Sequence, residues 1–481
     1  MKKSFLAVLA VAFTFAVQAE WKVIGTAQVA DTVTLAQSIS KLGEFTGNAM
    51  LGMMAVGALN DLPGTAAFGP ARKGAATLYP FFVENGQYEF ALLYPVAITK
   101  EDFKGRFPDA VESNGLIRVT CPFNGSGRSV HYVAFSQDGR WVGMSDKPQQ
   151  ARLALKEITD AEKPLDGDMA KFRIRRRGLD EFVKGGEQEM DVRTKDLVSQ
   201  VNGVVFGIRV SDKGLDFRGA VKTVEGSELA KVGLKPLAEN PLAFAGRDAV
   251  FVGASAENCG YEPVEKCWNE VKPMIEKTGL KLDWLEFVQT NDVSRFTLDV
   301  DGLFACIKSM EGKADSKIGE KLMEELKQYV AAKDAKKLKA EGPAINCEFT
   351  LKGYAGRFLP AQRFAYTLPE VADKKPFSVG FFSVYSLIRA VLPAIAKVAP
   401  DQVPGIEAVI ATLPEEGQGG MAYALWADKG YLRLFVRIGA DEFKAVSAGF
   451  AAFMAMSAAN NAAGGDEEDD EEIDDEDDDL D

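Results

Sequence analysis

Along this 481-residue chain, apolar positions alternate and then shift to helical spacing at three places. The first is Phe172-Arg-Ile-Arg-Arg-Arg-Gly178-Leu179-Asp-Glu-Phe182-Val183. The second is Phe296-Thr-Leu-Asp-Val-Asp-Gly302-Leu303-Phe-Ala-Cys306-Ile307. The third is Phe377-Ser-Val-Gly-Phe-Phe-Ser383-Val384-Tyr-Ser-Leu387-Ile388. In each, apolar residues occupy positions one and three, the strand period, and then positions eight, eleven and twelve, the helix period, with a small residue at position seven. Each segment therefore predicts a strand that turns directly into a helix. A hairpin follows each. Val204–Val210 leads through Ser211-Asp-Lys-Gly214 into Leu215–Val221, Cys347–Leu351 through Lys352-Gly353 into Tyr354, and Ala422–Trp426 through Ala427-Asp-Lys-Gly430 into Tyr431–Ile438. Glycine closing a short polar turn between alternating runs is a hairpin signal. A looser copy runs from Thr77–Val83 through Glu84-Asn-Gly86 into Gln87–Val96.

The expected fold class is α+β: duplicated strand-helix-hairpin units forming antiparallel or mixed sheets with helices packed on them. Helix starts are expected at Thr99-Lys-Glu-Asp102, which resembles a capping box, at Ser227-Glu-Leu and at Asp441-Glu-Phe. The copies begin 124 and then 81 residues apart, which excludes the fixed period of a solenoid. Amphipathic helices fill the insertions, one with Val264, Cys267, Trp268, Val271, Met274 and Ile275 on its apolar face, another with Ile318, Leu322, Leu326, Tyr329 and Val330. The apolar runs 377–400 and 445–463 read as core helices rather than membrane spans. The expected division is a leader over 1–19, an N-terminal α+β domain over 20–160, a second unit over 161–288, C-terminal units over 289–460, and a disordered tail over 461–481.

Met1-Lys2-Lys3, an apolar stretch to Val17 and the small residues up to Ala19 have the form of a secretory signal cleaved after Ala19. A periplasmic or secreted protein is expected. The formal charge of −14 is concentrated at one end, because Asp466–Asp481 holds 14 acids in 16 residues. Without them, and without the two leader lysines, the body carries about −2, which excludes a strongly basic nucleic-acid binder. The tail is too poor in apolar residues to fold by itself. Five cysteines are present, at 121, 259, 267, 306 and 347. Cys259 and Cys267 are the candidate disulfide; buried thiols are the competing reading.

The stretch Phe68-Gly-Pro-Ala-Arg-Lys-Gly-Ala-Ala-Thr-Leu-Tyr79, with the strand-helix-strand order after it, resembles large uncharacterised secreted proteins of planctomycete- and verrucomicrobium-like bacteria. The resemblance covers residues 20–458. It implies an extracytoplasmic α+β protein and transfers no functional residue; the acidic tail lies outside the pattern.

No motif commits the chain to a chemistry. HExxH, Walker A, GxGxxG and GxSxG are all missing. The single histidine, His131, lies in an alternating run on the same side as Ser129 and Val133 and reads as a structural or surface residue rather than a catalytic one. Asp299-Val-Asp301-Gly302 reads as a strand end rather than a calcium loop, and Asn124–Arg128 as a hairpin loop. Arg173, Arg175 and Arg177 alternate along the first expected strand and so project to one side. They are candidates, with Lys333, Lys336, Lys337 and Lys339, to receive the acidic tail or an anionic ligand; a solvated sheet face is the plainer alternative. Tail residues Asp466, Glu467, Glu468, Asp469, Asp470, Glu471, Glu472, Asp474 and Asp475 are candidates for weak Ca²⁺ or Mg²⁺ binding, or for attracting a basic protein or envelope component. No tightly held cofactor, nucleic-acid partner or transmembrane segment is expected. The expected role is a non-catalytic binding or scaffolding protein whose tail is an electrostatic handle. The alternatives are a carboxylate-dependent hydrolase of an extracellular polymer and a carrier of an apolar ligand.

Overall fold

A computed structural model describes residues 21–47, 50, 64–84, 87–122, 128–185, 192–231, 236–256, 354–398 and 403–463, together with strands at 285–290, 293–298, 340–341 and 344–350. Its strands form one open, wholly antiparallel ladder, so of the two expected sheet types the antiparallel one is found. The ladder starts with β5 (Val111–Ser113), β6 (Leu116–Pro122), β7 (Arg128–Phe135) and β8 (Trp141–Ser145). It continues through β4 (Leu92–Pro95) and β3 (Gln87–Phe90), which lie end to end beside β2 (Thr77–Glu84). Next come β1 (Lys22–Val29), β9 (Ala170–Arg175), β10 (Val201–Ser211) and β11 (Gly214–Thr223). β11 pairs with β19 (Tyr431–Gly439), followed by β18 (Met421–Asp428), β17 (Ser378–Phe382), β12 (Ala249–Ala256), β16 (Ala344–Thr350) and β15 (Ala340–Glu341). A separate hairpin joins β13 (Leu285–Thr290) to β14 (Val293–Leu298).

The helices are α1 (Thr32–Phe45), α2 (Thr65–Phe68), α3 (Lys100–Arg106), α4 (Pro148–Ala154), α5 (Ile158–Ala161), α6 (Arg176–Gly185), α7 (Val192–Ser199), α8 (Glu228–Lys231), α9 (Pro360–Thr367), α10 (Val384–Val398), α11 (Val403–Thr412) and α12 (Ala440–Ala463). Local chemistry sets several boundaries. Asp31 caps α1 by accepting from the Val33 and Thr34 amides. Thr99 and Asp102 form the expected capping box at the start of α3. The Ser227 hydroxyl accepts from the Ala230 amide at the start of α8. At the third sequence copy β17 ends at Phe382 and α10 begins at Val384, with Ser383 between them. The hairpin β18–β19 turns on Lys429 and Gly430, both with positive φ, as a two-residue type I′ turn requires.

Three expectations are corrected. At the first copy the helix starts at Arg176, two residues earlier than the alternation suggests, so Arg177 is helical and does not extend the row of Arg173 and Arg175. Gly178 is small because α6 lies directly on β1: a Cβ there would come 2.4 Å from the Ile24 carbonyl oxygen. At the second copy, Phe296 lies on β14, whose described partner is β13, outside the main ladder. The predicted strand from Tyr354 does not form: residues 354–356 are irregular. Instead, the Tyr354 hydroxyl is drawn into a buried polar cluster, described below. The expected leader, the helices at 264–275 and 318–330, Cys259, Cys267, Asp299, Asp301, the lysines at 333–339 and residues 464–481 of the expected tail lie outside the described residues, whereas 461–463, expected in the tail, end α12.

Strand alternation gives the central sheet two unlike faces. On β9, Lys171, Arg173 and Arg175 point one way, and Phe172 and Ile174 the other. Helices cover the arginine face at both ends of the sheet. Near β2 the covering contacts join Leu78, Phe82 and Leu93 to Ala154 and Ala161, and Gln28 donates to the Ala161 and Lys163 carbonyls. Near β17–β19, Val252, Val379, Phe381, Ala424 and Phe435 pack on Leu242, Leu368 and Val371. Burying a side chain of this size contributes about 1.5–3 kcal/mol. The opposite face is covered over β4 and β6–β8, where Phe68 and Phe103 pack on Leu92, Tyr94, Val133 and Met144. Between that cover and α6 it lies open.

Candidate binding groove

The open strip is a groove of about 580 Å³ between β1, β2, β3, β9 and α6. Its depth follows from side-chain size along β1. In the ladder Gly25 stands between Phe81 of β2 and Ile174 of β9, and Ala27 between Tyr79 and Phe172. β1 is thus a valley between two ridges of large apolar side chains. Glycine is required at position 25, because a Cβ would sit 2.7 Å from the Arg173 carbonyl oxygen. Phe90 and Tyr88 of β3 extend one ridge, paired in register with Phe81 and Val83. Gly178 and Leu179 of α6 form the far wall. The Tyr88 hydroxyl reaches across to donate to the Glu181 carbonyl of α6 at 3.3 Å.

The lining is apolar and half exposed: Phe81 is 38% accessible, Phe90 42%, Phe172 40%, Ile174 45% and Tyr88 55%. Singly exposed apolar residues are ordinary on a protein surface, whereas a contiguous group of five makes this strip a candidate binding surface. The charged side chains of the lining are already engaged. Glu89 accepts from Gln150 Nε2 and pairs with Lys147, and Arg173 pairs with Asp160 at 3.3 Å. Phe172 also begins a row of ring contacts through Phe206 (6.5 Å) to Phe217 (5.9 Å), so the aromatic surface extends onto β10 and β11.

The sequence-predicted site residues are placed differently. Arg173 and Arg175 do share a side, but α5 and the turn before it have brought carboxylates to them: Arg175 pairs with Glu157 and Asp160, and Arg173 with Asp160. Burial alone would raise the Asp160 carboxyl; hydrogen bonds from Lys163 and Arg175 and the Arg173 charge bring it below its ordinary value. Arg177 is not among them. His131 is 4% exposed on β7 and shares a hydrogen bond between Nε2 and the Ser129 hydroxyl, the neighbour expected on its side. Burial lowers its pKa, with the Asp146 charge opposing. Cys121 is a free buried thiol pushed up to about 12 by burial and by Asp109. Among the described residues, no group of three or more His, Cys, Asp or Glu is placed to hold a metal ion, and no helix is long and apolar enough to cross a membrane.

Two carboxylates, one buried and one partly buried, do come together, and an arginine holds both. Arg363 of α9 binds Glu416 through Nη1 at 3.0 Å and Glu442 through Nη2 at 3.4 Å, and donates twice to the Gly419 carbonyl. Glu442, 1% exposed in the first turn of α12, also accepts from the Ser383 hydroxyl at 2.8 Å and the Tyr385 amide at 2.9 Å. Tyr354 completes the cluster through Ser386 and Glu416. Burial raises Glu442, against the hydrogen bonds from Tyr385 and Ser383 and the Arg363 charge. With its partners satisfied, the cluster ties α9, α10 and α12 to the sheet.

Phe172 and Ile174 of the groove are, in the first sequence copy, the other half of the alternation that displays the arginines, and Phe81, Tyr88 and Phe90 lie in the looser N-terminal copy. The missing information was which half the helices cover. Comparison of the chain with protein-family models, curated proteins and solved structures finds no match.

Proposed function

We propose that this protein is a non-catalytic binding protein that holds an apolar ligand in the β1 groove. The observation that carries this reading is the contiguous, half-exposed set Phe81, Tyr88, Phe90, Phe172 and Ile174 flanking a glycine floor. Ligand sites are typically mostly apolar clefts of about 300–1,000 Å³, and this groove falls in that range. The hydrolase alternative needs two carboxyl groups free to work in a cleft; the close pair, Glu416 and Glu442, is bound by Arg363 instead. The protein acts in the periplasm or outside the cell, and the acidic tail serves as an electrostatic handle toward a basic partner.

An uncharged fluorescent probe, N-phenyl-1-naphthylamine, tests the groove. The full chain is expected to bind it saturably with a rise in emission. Phe81→Ser and Phe172→Ser are expected to weaken binding about tenfold each, since each removes roughly 1.4 kcal/mol or more of apolar contact. Folded variants that bind the probe like the parent protein would sink the proposal.

A further inference from the structure

A second cavity, of about 520 Å³, lies apart from the groove, between the loop before β2, the start of β8, the start of α1 and the 161–168 loop. Two side chains in its wall lack what they need. Trp141 is 1% exposed, and its indole N–H has no acceptor among the described residues. The Arg72 guanidinium lies 5.5 Å over the Trp141 ring, and its Nη1 is likewise enclosed without an acceptor. Both orphans are donors, and one carries a charge. An unmade buried hydrogen bond costs about 1–3 kcal/mol, more for a charged group, so two in one wall need an explanation.

Three of the four acids of the lining are engaged elsewhere, and the fourth, Glu162, is exposed and has no cation within ion-pair distance among the described residues. Asp31 is used in capping α1 through two amides and the Thr34 hydroxyl. Asp166 pairs with Lys171, and Asp168 pairs with Arg218 and Lys171. Lys73 and Arg140, both exposed, add positive charge to the lining. Among the described residues neither they nor Arg72 has a carboxylate within ion-pair distance. The cavity therefore presents unused donors and three unpaired cations, Arg72, Lys73 and Arg140, against one unpaired acid, Glu162.

We infer that this cavity binds a small molecule through an oxyanion, a carboxylate or a phosphate, received by the partly exposed Arg72 guanidinium. Arginine matches either group with a planar fork of donors. Lys73 and Arg140 draw the anion in.

Calorimetric titration of the full chain with inorganic phosphate, and separately with acetate, tests the inference, with thermal melting as a second readout. Saturable binding of at least one probe is expected, accompanied by a rise in melting temperature; which probe binds distinguishes phosphate from carboxylate. Arg72→Gln should weaken binding at least about tenfold. Lys73→Gln and Arg140→Gln, exposed changes that leave the fold intact, should weaken it about two- to fivefold each. Arg72→Met without ligand should melt no lower than the parent, because it removes an unpaired, partly desolvated charge. Binding of N-phenyl-1-naphthylamine should be unaffected by all four. Neither heat nor melting shift with either probe, or binding unaltered in Arg72→Gln and in both rim variants, would overturn the inference.

Discussion

His131 is the only histidine in the chain, and so the only side chain whose ordinary pKa lies between about pH 5 and pH 7. Its folded pKa is lowered from 6.5, mainly by burial. The unfolded chain therefore takes up a proton at higher pH than the folded one. Stability is complete above pH 6.5 and is lost as the pH falls through 6.5 toward the folded value. Replacing His131 by Asn should flatten this slope; chemical denaturation at a series of pH values reads it, and an unchanged slope would show that His131 is not its source. That His131 shares a side with Ser129 was legible from the Ser129-Val-His131 alternation, while its burial was not. The partners of Arg173 and Arg175 were not, because Glu157 and Asp160 reach them by folding back across the sheet from a helix preceding β9.

At the level of elements, local signals read well and long-range ones do not. The capping box at Thr99, the strand-to-helix junction at Ser383 and the Lys429-Gly430 turn are each set within four residues. The hairpin between β5 and β6 also had a signal: Asn114 and Gly115 both take positive φ, as an Asn-Gly turn predicts. The β11–β19 pairing has no such signature, since Asp216 and Arg437 are 221 residues apart and yet face each other across it. Both are 3% exposed and doubly bonded, and Arg437 also reaches Glu370 and the Thr367 carbonyl. Asp216→Ala should lower stability by about 3 kcal/mol, because it removes the buried carboxylate that holds two of the Arg437 nitrogens and leaves only Glu370 and the Thr367 carbonyl. The double change Asp216→Leu with Arg437→Met should recover much of that loss, as measured by denaturant melting. A double variant no more stable than Asp216→Ala would mean that geometry rather than charge burial sets the cost.

Across the whole molecule, the ladder order is the least legible feature, because it depends on which faces find cover. Alternation told that β9 has an arginine side and a phenylalanine side; the ordinary expectation puts the apolar side inward. Here ion pairs with Glu157 and Asp160 draw the arginine side under a helix, and Phe172 and Ile174 are left outside. The charge distribution is a whole-molecule property too. Removing residues 464–481 takes the formal charge from −14 to zero. That deletion should advance elution from an anion exchanger and leave the melting temperature within about 1 °C, since charges outside a packed core contribute little to folding. A loss of several degrees at low salt would instead mean that the tail grips the body.

The glycine floor of β1 carries a further consequence. Neighbouring strands lie about 4.8 Å apart, so the ridges on β2 and β9 stand about 10 Å from each other, centre to centre. That spacing belongs to the backbone lattice and does not change when side chains rotate. The groove therefore gauges thickness rather than length. In a homologous series of straight chains affinity should climb gradually with each added carbon, whereas a single branch wide enough to foul both ridges should abolish it.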